Sequence, residues 1–459
     1  MAESFLSDPD RLVLGTRTVP TSYTPEDIPW GIAHADRRNH IYILGKTGMG
    51  KTALLRNMIL ADIWRGAGVG VIDPHGDLAE DIIDSIPPER SDDVVYFNPS
   101  DLAYPIAWNP IQDIPPDARA QHADFLVDGF KSVFHESWGP RLEFILYHAI
   151  RACMDADRTT LLSVYKMLTD EDYRAGIVSQ VDDPLTRDFW QRTFEQWPAR
   201  YRLEAVGAIE NKLGRFLGSP AIRNILGQET GKLSLDFVIN RQRIFIANLS
   251  KGAIGPDHAN LLGSLLVAQF QAAAFQREAI PEAERIDFNL SIDEFQNFMT
   301  ESFAAVLSEA RKYRLNLTMA HQYLGQAKPT VRDAVFGNAG SMIAFRVGGP
   351  DGETLEKVFR PDMMRSTHFL DLKKHEVIAS IPDGSSAPIP FLAMTMAPLK
   401  YATGRKTAII ALSREKYCRP RSIVEPRIRE LFVDAEEGKS PPVTVGVALR
   451  KFRRHTTEP

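Results

Sequence analysis

The sequence predicts an α/β fold in which a mainly parallel sheet is interrupted by an all-helical insertion domain. Three observations support this prediction. Apolar strand-like runs alternate with helical patterns over about the first hundred residues, and this order is typical of a parallel sheet. Strand-like runs are then missing between residues 113 and 232, where apolar residues recur at helical spacing. The strand–helix alternation resumes near residue 243.

This pattern divides the 459 residues into five segments. Prolines and a glycine near the N-terminus predict an irregular lead-in with one edge strand, and the C-terminal end is predicted to be a weakly structured, basic tail. The predicted segments are the lead-in (1–38), the first part of the α/β domain (39–112), the all-α insertion domain (113–232), the second part of the α/β domain (233–420) and the tail (421–459).

Further strands are predicted where short apolar and β-branched runs are bounded by turn residues. After the strand that ends at Leu44, these runs cover 67–72, 93–98, 243–249, 288–294, 315–320 and 341–347. Long helices are predicted over 257–276 and through 303–314, because apolar residues recur there at helical spacing. Beyond Thr367, where prolines are frequent, no strand is predicted.

Composition and charge are those of a soluble globular protein. Hydrophobic residues make up 44% of the chain and charged residues 25%. No apolar run approaches the ~20 residues of a membrane helix, and the N-terminus lacks a signal-peptide pattern. We therefore expect a cytoplasmic protein without a transmembrane segment. The net charge of −5 argues against a protein coated in basic residues, but a pore for nucleic acid needs only a local positive lining.

The first central strand leads into a glycine-rich phosphate-binding motif. Residues 40–44 form an apolar strand, residues 45–52 match G-x-x-x-x-G-K-T, and a helical pattern follows over 53–60. A phosphate-binding loop requires this strand–loop–helix context. The loop N–H groups and the helix N-terminus are expected to bind phosphate oxygens. The predicted nucleotide-binding residues are Gly45, Lys46, Thr47, Gly48, Met49, Gly50, Lys51 and Thr52.

Two of these residues have further predicted roles. Lys51 would reach the β- and γ-phosphates, and the Thr52 hydroxyl would bind Mg²⁺. The predicted cofactors are therefore ATP and Mg²⁺. Asp73 ends the second central strand, and two roles are open for it. It either contacts the magnesium through water or orients the loop, or it caps the helix that begins near Leu78.

Hydrolysis of the β–γ bond requires a metal-holding acid and a residue that polarises the attacking water. Asp293 and Glu294 end an apolar strand downstream of the loop, which matches these two roles. Gln322 ends the next strand, where an uncharged amide can hydrogen-bond the γ-phosphate and respond to its loss. Arg311 could act as an arginine finger on a neighbouring subunit's nucleotide, and Arg332 and Arg346 compete for that role.

These motifs, in this order, resemble those of the conjugative and type IV secretion coupling proteins (TraD/TraG-like) of the FtsK–HerA motor superfamily. The resemblance rests on residues 36–52, 71–78, 291–296, 309–312 and 320–322. It extends over about residues 30 to 360, with the helical insertion where coupling proteins carry their all-alpha domain. One feature differs, since the family usually begins with membrane-spanning helices and this sequence has none.

The resemblance implies a RecA-like P-loop ATPase that forms a homo-hexameric ring and translocates DNA through its central channel. It implies roles for Lys51 and Thr52 in binding phosphate and metal, for Asp293 and Glu294 in hydrolysis, for Arg311 as the finger and for Gln322 as the sensor. The helical domain could recognise a relaxosome, a secretion channel or a nuclease partner. Recruitment to the inner face of the membrane would then depend on such a partner.

Other functions remain open from the sequence. One is a soluble HerA-like motor that works with a nuclease in DNA repair or antiviral defence. Another is a secretion-system ATPase that acts on protein cargo, and a third is a binding module in which hydrolysis is only a switch. DNA-stimulated ATP hydrolysis would separate the two motor hypotheses from the last two. The basic cluster at 449–454 could contact DNA phosphates or an acidic partner, or it could be a solvated tail.

Overall fold

One large sheet organises the chain. The structure, a computed structural model, describes residues 8–19, 26–134, 138–300, 303, 307–382 and 388–433. Within these residues the sheet has eleven strands, in the spatial order β2-β1-β11-β10-β9-β3-β8-β7-β4-β6-β5. The strands are β1 (Arg11–Val19), β2 (Glu26–Ala33), β3 (Ile41–Leu44), β4 (Gly68–Asp73), β5 (Val94–Phe97), β6 (Ile244–Asn248), β7 (Phe288–Ile292), β8 (Leu315–His321), β9 (Ser341–Ala344), β10 (Glu376–Ser380) and β11 (Phe391–Thr395).

Most of this sheet is parallel. The seven neighbouring strands from β9 to β5 pair in parallel, and β10, β11, β1 and β2 extend the sheet in antiparallel pairs. Strands β3, β5, β6 and β7 are buried along their whole length, as parallel strands covered on both faces should be. The predicted mainly parallel α/β fold is confirmed. Because the carboxyl ends of parallel strands meet at one edge, the residues after β3, β7 and β8 lie side by side.

Helices cover both faces of the sheet. They are α1 (Lys51–Trp64), α2 (Asp77–Ile83), α3 (Arg119–Phe134), α4 (Pro140–Asp155), α5 (Leu161–Thr169), α6 (Glu171–Val178), α7 (Pro184–Asp188), α8 (Ala199–Leu217), α9 (Pro220–Leu226), α10 (Leu235–Asn240), α11 (Lys251–Ile254), α12 (Pro256–Phe275), α13 (Pro329–Asn338), α14 (Gly349–Val358), α15 (Ser366–Leu370), α16 (Lys406–Tyr417) and α17 (Arg421–Val433). Side chains alternate along β3, so Ile43 joins the core with α1 and α2, while Tyr42 and Leu44 join the core with α12.

The predicted helical stretch is confirmed. Among the described residues from 113 to 232, every regular element is helical, and α4 begins at Pro140 as the position of that proline predicts. These helices share one continuous core with the sheet, since Trp190 and Leu146 belong to the same buried cluster as Phe245. The boundaries that make this stretch a separate domain stay a prediction.

The predicted edge strand in 1–38 is found as β2, but the rest of the described lead-in is not irregular, because it contains a second strand, β1. Strands β1 and β2 pair antiparallel, and β1 also pairs with β11. Prolines and a glycine usually break regular structure, yet an edge strand tolerates them. Pro29 lies in the outermost strand, where a missing N–H need not cost a ladder bond. Gly31 is required by a close approach, because a Cβ there would lie 2.2 Å from Leu12 O.

The expectations for the C-terminal region are also wrong. Strands β10 and β11 follow Thr367, and the first part of the predicted tail is the helix α17. This helix contains Pro426, and a proline in a helix interior argues against a helix when only the sequence is considered. Val424 and Ile428 are nevertheless buried at helical spacing. The basic cluster at 449–454 lies outside the described residues.

The predicted helix through 303–314 is only partly found. Phe303 is helical, but Ala310–Tyr313 form a 3₁₀ turn, and Arg314 ends it with a left-handed backbone at φ 57°. Residues 301–302 and 304–306 lie outside the described part of the chain. In that described part, no helix is both long and apolar enough to cross a membrane.

Candidate nucleotide hydrolysis site

The phosphate-binding loop connects β3 to α1 at the carboxyl edge of the sheet. Each of the three glycines in this loop is required for its own structural reason. Gly45 packs against the next strand segment, where a Cβ would lie 2.5 Å from Phe345 Cβ. Gly48 and Gly50 have φ of 79° and 120°, in the left-handed region that disfavours other residues. The sequence therefore needs glycine at each of these positions for the loop to curl.

The loop is held by backbone hydrogen bonds from three neighbouring segments. Gly45 N–H donates to His321 O at 3.3 Å, and Lys46 N–H donates to Arg346 O at 2.9 Å. On the other side, His375 N–H donates to Met49 O at 2.9 Å. The loop is thus fixed by the ends of β8 and β9 and by the turn before β10.

Lys51 lies inside the curl of the loop. Its ammonium donates to Gly45 O at 2.6 Å, and the residue is only 7% exposed. Burial lowers the pKa of Lys51, while the charges of Asp293 and Glu294 oppose this shift. A cation bonded only to loop carbonyls can exchange those bonds for phosphate oxygens when a triphosphate binds.

Asp293 and Glu294 follow β7 directly, as predicted. The pairing of β7 with β4 continues one residue past the strand, because Asp293 N–H donates to Ile72 O at 3.1 Å. Glu294 then adopts a left-handed backbone at φ 47° and ψ 47°, which is uncommon for a residue other than glycine. Asp293 Oδ1 accepts a hydrogen bond from the N–H of Glu294 at 3.0 Å. The strained turn brings both carboxylates to the loop side of the sheet edge.

Two side-chain amides hold the carboxylate of Glu294. Gln322 Nε2 donates to Glu294 Oε1 at 2.8 Å, and Gln296 Nε2 donates to Glu294 Oε2 at 2.7 Å. The other end of the Gln322 amide accepts a hydrogen bond from Thr47 Oγ1 at 3.0 Å. A continuous hydrogen-bonded connection therefore runs from Thr47 in the loop, through Gln322, to the carboxylate of Glu294.

Asp293 is surrounded by negative charge. Burial, together with the nearby Glu294 and Asp73 carboxylates, raises the pKa of Asp293 to about 6, and the charge of Lys51 opposes this shift. A carboxylate held in such a place favours a cation beside it. Together with the exposed Thr52 hydroxyl, Asp293 provides the hard oxygen ligands that suit Mg²⁺ held partly through water. When bound, Mg²⁺ would supply charge neutralisation at the β- and γ-phosphates.

The structure favours the capping role for Asp73. Its Oδ1 accepts the N–H of His75 at 2.8 Å, and its Oδ2 accepts the N–H of Ala79 at 3.0 Å near the start of α2. The side chain is fully buried. Both oxygens are therefore engaged in fixing the turn, and Asp73 acts on the site through its charge beside Asp293.

The three candidate finger arginines lie in two different places. Arg311 is exposed in the 3₁₀ turn that precedes β8, at the amino end of the strand whose carboxyl end carries Gln322. Arg332 and Arg346 lie beside the chain's own loop. Arg332 and Thr47 line the same cavity, which has a volume of about 750 Å³. The backbone carbonyl of Arg346 accepts a hydrogen bond from the backbone N–H of Lys46. Only Arg311 is brought to the opposite edge, away from the site of its own subunit.

Sequence reasoning missed several residues of the site. Gln296 follows Glu294 by two residues, so its position after the strand end was a usable signal. His375 comes from the proline-rich region in which no strand was predicted. A Cβ at Gly50 would lie 2.7 Å from His375 Nδ1, which shows how closely this turn packs on the loop. Lys251, three residues after the end of β6, also has no signal in the sequence, and it lies near enough to Glu294 for the two charges to interact.

The fold resembles those of known coupling proteins. Residues 27–193 match the family model described as the type IV secretion-system coupling protein DNA-binding domain. Among solved structures, the bacterial conjugative coupling protein TrwBdeltaN70 is similar over 87% of this chain and 92% of its own, at 13% identity and a TM-score of 0.60. The plasmid coupling protein TrwB in complex with ADP and Mg²⁺ is similar over 86% and 97%, at 15% identity and a TM-score of 0.59.

A further structure, VirB4 of Thermoanaerobacter pseudethanolicus, is similar over 86% of this chain and 98% of its own, at 16% identity and a TM-score of 0.56. No curated protein sequence matches the chain. At sequence identities this low, the structural similarity shows a shared fold and nothing more specific. The resemblance expected from the motifs is therefore confirmed: the chain has the fold of the conjugative coupling proteins, and its residues 27–193 match the family model of their DNA-binding domain.

Proposed function

We propose that this chain is an ATP-hydrolysing motor that translocates DNA, of the conjugative coupling-protein type. The observation that carries the proposal is the hydrogen-bonded connection from Thr47 through Gln322 to Glu294. Nucleotide binding alone needs the loop and a metal-holding acid. A second carboxylate aligned by amides, one of which contacts the loop, is what hydrolysis coupled to a conformational response requires.

The residues of the site divide the work of hydrolysis. Lys51 exchanges its bond to Gly45 O for bonds to the phosphates and orients them. Glu294, held by two amides, polarises a water that attacks the γ-phosphate. Gln322 contacts both the loop and Glu294, so departure of the phosphate changes its hydrogen bonds and the position of the residues that follow β8.

The proposed motor is a homo-hexameric ring with DNA in its central channel. The match of residues 27–193 to a DNA-binding domain family supports contact with DNA. Arg311 supports the ring, because it is exposed at the far edge of the sheet from its own loop. From there it would complete the site of the next subunit and neutralise charge on that subunit's γ-phosphate.

The helical stretch is proposed to form a separate recognition domain over residues 113–232. Its helices present a surface beside the motor that could bind a relaxosome, a secretion channel or a nuclease. Recruitment to the inner face of the membrane would follow from such a partner. These roles extend the proposal, and the hydrolysis chemistry does not depend on them.

The test is steady-state ATP hydrolysis by the full chain, alone and with single- or double-stranded DNA. We expect hydrolysis that DNA stimulates severalfold, that Lys51→Ala abolishes, and that Glu294→Gln blocks while ATP still binds. Equal wild-type rates under all three conditions would overturn the DNA motor and favour an ATPase that acts on protein cargo. No hydrolysis under any condition would overturn the proposal as a whole.

A further inference from the structure

Lys251 lies at the same edge of the sheet as the proposed hydrolysis site. It follows the carboxyl end of β6, and β6 pairs with β4, which in turn pairs with β7. In this register Asn248 is level with Asp73, and Ile72 is level with Ile292. The backbone of Lys251 is therefore near the level of the strand ends that carry Asp293 and Glu294. The lateral separation of β6 from β7 is two strand spacings, about 10 Å.

The turn that carries Lys251 is fixed from both sides. Leu249 N–H donates to Asp73 O at 2.9 Å, and Lys251 N–H donates to Pro74 O at 3.0 Å. These bonds extend the pairing of β4 and β6 past the ends of both strands. The position of the Lys251 backbone is thus set by the same segment that carries the buried Asp73.

The side chain of Asn248 strengthens this turn. Its Nδ2 donates to Glu80 Oε1 and to the hydroxyl of Tyr96, each at 3.0 Å, and its Oδ1 accepts the N–H of Ser250 at 3.2 Å. A Cβ on Gly76 would lie only 2.7 Å from Asn248 Oδ1, so the two turns pack closely. The backbone that leads into Lys251 is therefore rigid before any ligand binds.

The ammonium of Lys251 lacks the partner that a half-buried cation normally has. Among the described residues, it makes no hydrogen bond and no ion pair within 4.0 Å. Burial lowers the pKa of Lys251, and the negative charge of Glu294 opposes this shift. The charge of Glu294 acts on the ammonium without a hydrogen bond between them, so the two groups are near each other but not in contact.

We propose that Lys251 is a catalytic residue that donates a hydrogen bond to the γ-phosphate of ATP bound in its own subunit. The inference rests on the proposed hydrolysis function and assigns it a second cation besides Lys51. Lys51 approaches the phosphates from within the loop, whereas Lys251 approaches from the β6 side, beyond Glu294. The γ-phosphate is then contacted from two directions within one chain, before any neighbouring subunit contributes.

A structural ion pair between Lys251 and Glu294 is the competing explanation. Both oxygens of Glu294 already accept amide hydrogen bonds, from Gln322 and Gln296. Moreover, no ion pair between the two residues is formed. A phosphate oxygen between them would give the ammonium an acceptor that the protein alone does not supply.

The experiment compares nucleotides with and without the γ-phosphate. For Lys251→Met we expect unchanged affinity for ADP, affinity for a non-hydrolysable ATP analogue lower by about tenfold, and kcat lower by about 100-fold. Lys251→Arg should recover part of both losses, because it restores a cation. Lys357→Met, an exposed lysine on α14, is the matched control and should leave all three values unchanged.

Two results with Lys251→Met alone would overturn the inference while leaving the proposed function intact. One is equal loss of ADP and ATP-analogue affinity, which marks a structural role. The other is wild-type turnover by Lys251→Met. Mixing Lys251→Met with Glu294→Gln subunits gives a third reading: recovery of hydrolysis would mean that Lys251 acts on a neighbour, which contradicts the assignment to its own subunit. A wild-type chain without ATPase activity would instead overturn the proposed function itself.

Discussion

Gln322 Nε2 donates a hydrogen bond of 2.8 Å to Glu294 Oε1 across the neighbouring strand ends of β8 and β7. The acceptor end of the same amide is used by Thr47 of the phosphate-binding loop. One side chain therefore contacts both the loop that we propose binds phosphate and the carboxylate that we propose polarises water. In the proposed mechanism, this arrangement couples the presence of the γ-phosphate to the position of the β8 end.

Removal of this amide should separate binding from turnover. For Gln322→Ala we expect kcat to fall by about 10–100-fold, because Glu294 loses one of its two orienting donors, while ATP affinity changes little. Steady-state hydrolysis and nucleotide binding measure the two effects. Gln180→Ala, in the helical stretch, is the control and should match wild type. Wild-type turnover by Gln322→Ala would remove the sensor role.

Gly50 should tolerate no side chain. Gly50→Ala places a Cβ 2.7 Å from His375 Nδ1 at a φ of 120°, so the loop must shift away from the turn before β10. We expect nucleotide affinity to fall by at least about tenfold, measured by equilibrium binding.

Gly207→Ala is the matched control for that substitution. Gly207 lies inside α8, and a Cβ there meets no atom within 4 Å. This variant should bind nucleotide normally and gain about 0.5–1 kcal/mol in free energy of unfolding. If both alanine variants bound nucleotide equally well, the loop geometry described here would be incorrect.

Asp293 should destabilise the nucleotide-free protein at neutral pH. Its pKa of about 6 lies above the ordinary value of 3.8, so the folded state binds this proton more tightly than the unfolded state. Its contribution to stability therefore falls as pH rises from about 4 to about 6. Asp293→Asn should raise the free energy of unfolding at pH 7.5 by about 2 kcal/mol, with a smaller gain at pH 5.

Denaturant unfolding at the two pH values measures this effect. The exposed Asp117→Asn is the control and should change stability by less than about 0.5 kcal/mol. A loss of stability in Asp293→Asn at pH 7.5 is the opposite result. It would show that Asp293 is stabilised by its contacts rather than destabilised by burial and by the charges of Glu294 and Asp73.

Arg311 should act across a subunit boundary. Arg311→Ala and Glu294→Gln should each be inactive alone, and a mixture should recover hydrolysis, because a Glu294-containing site can then receive Arg311 from its neighbour. Mixtures made with Arg332→Ala or Arg346→Ala should give no such recovery. Absence of recovery in every Arg311→Ala mixture would favour a role for this arginine within its own subunit.

The sequence predicted the parallel centre of the fold and its loop well, because both depend on local patterns. The motifs that were predicted lie in short contiguous segments, namely strand β3 with the glycines of the loop, and the Asp293–Glu294 pair after its apolar strand. The chemistry of phosphate and metal binding requires particular residue types at particular positions in such segments. The antiparallel extension was missed for a physical reason. Pro29 is tolerated only because β2 is the outermost strand, and that position is a property of the whole sheet.

The residues that reach the site from distant segments of the chain could not be predicted from the sequence. His375 reaches the loop through a backbone hydrogen bond to Met49, and a backbone donor leaves no signature in side-chain chemistry. Lys251 approaches the site only because β6 lies beside β4. By contrast, Gln322 was predictable, since it follows an apolar strand in the order that hydrolysis requires.

If ATP hydrolysis moves DNA through this motor, the motor should displace an obstacle that is bound to the DNA. The assay measures release of a third strand from a triplex and of streptavidin from a biotinylated single strand, with ATP and Mg²⁺. We expect release of at least one obstacle by wild type and none by Glu294→Gln, which should bind ATP without hydrolysing it. DNA-stimulated hydrolysis by wild type with no release of either obstacle would contradict the proposal that hydrolysis moves DNA.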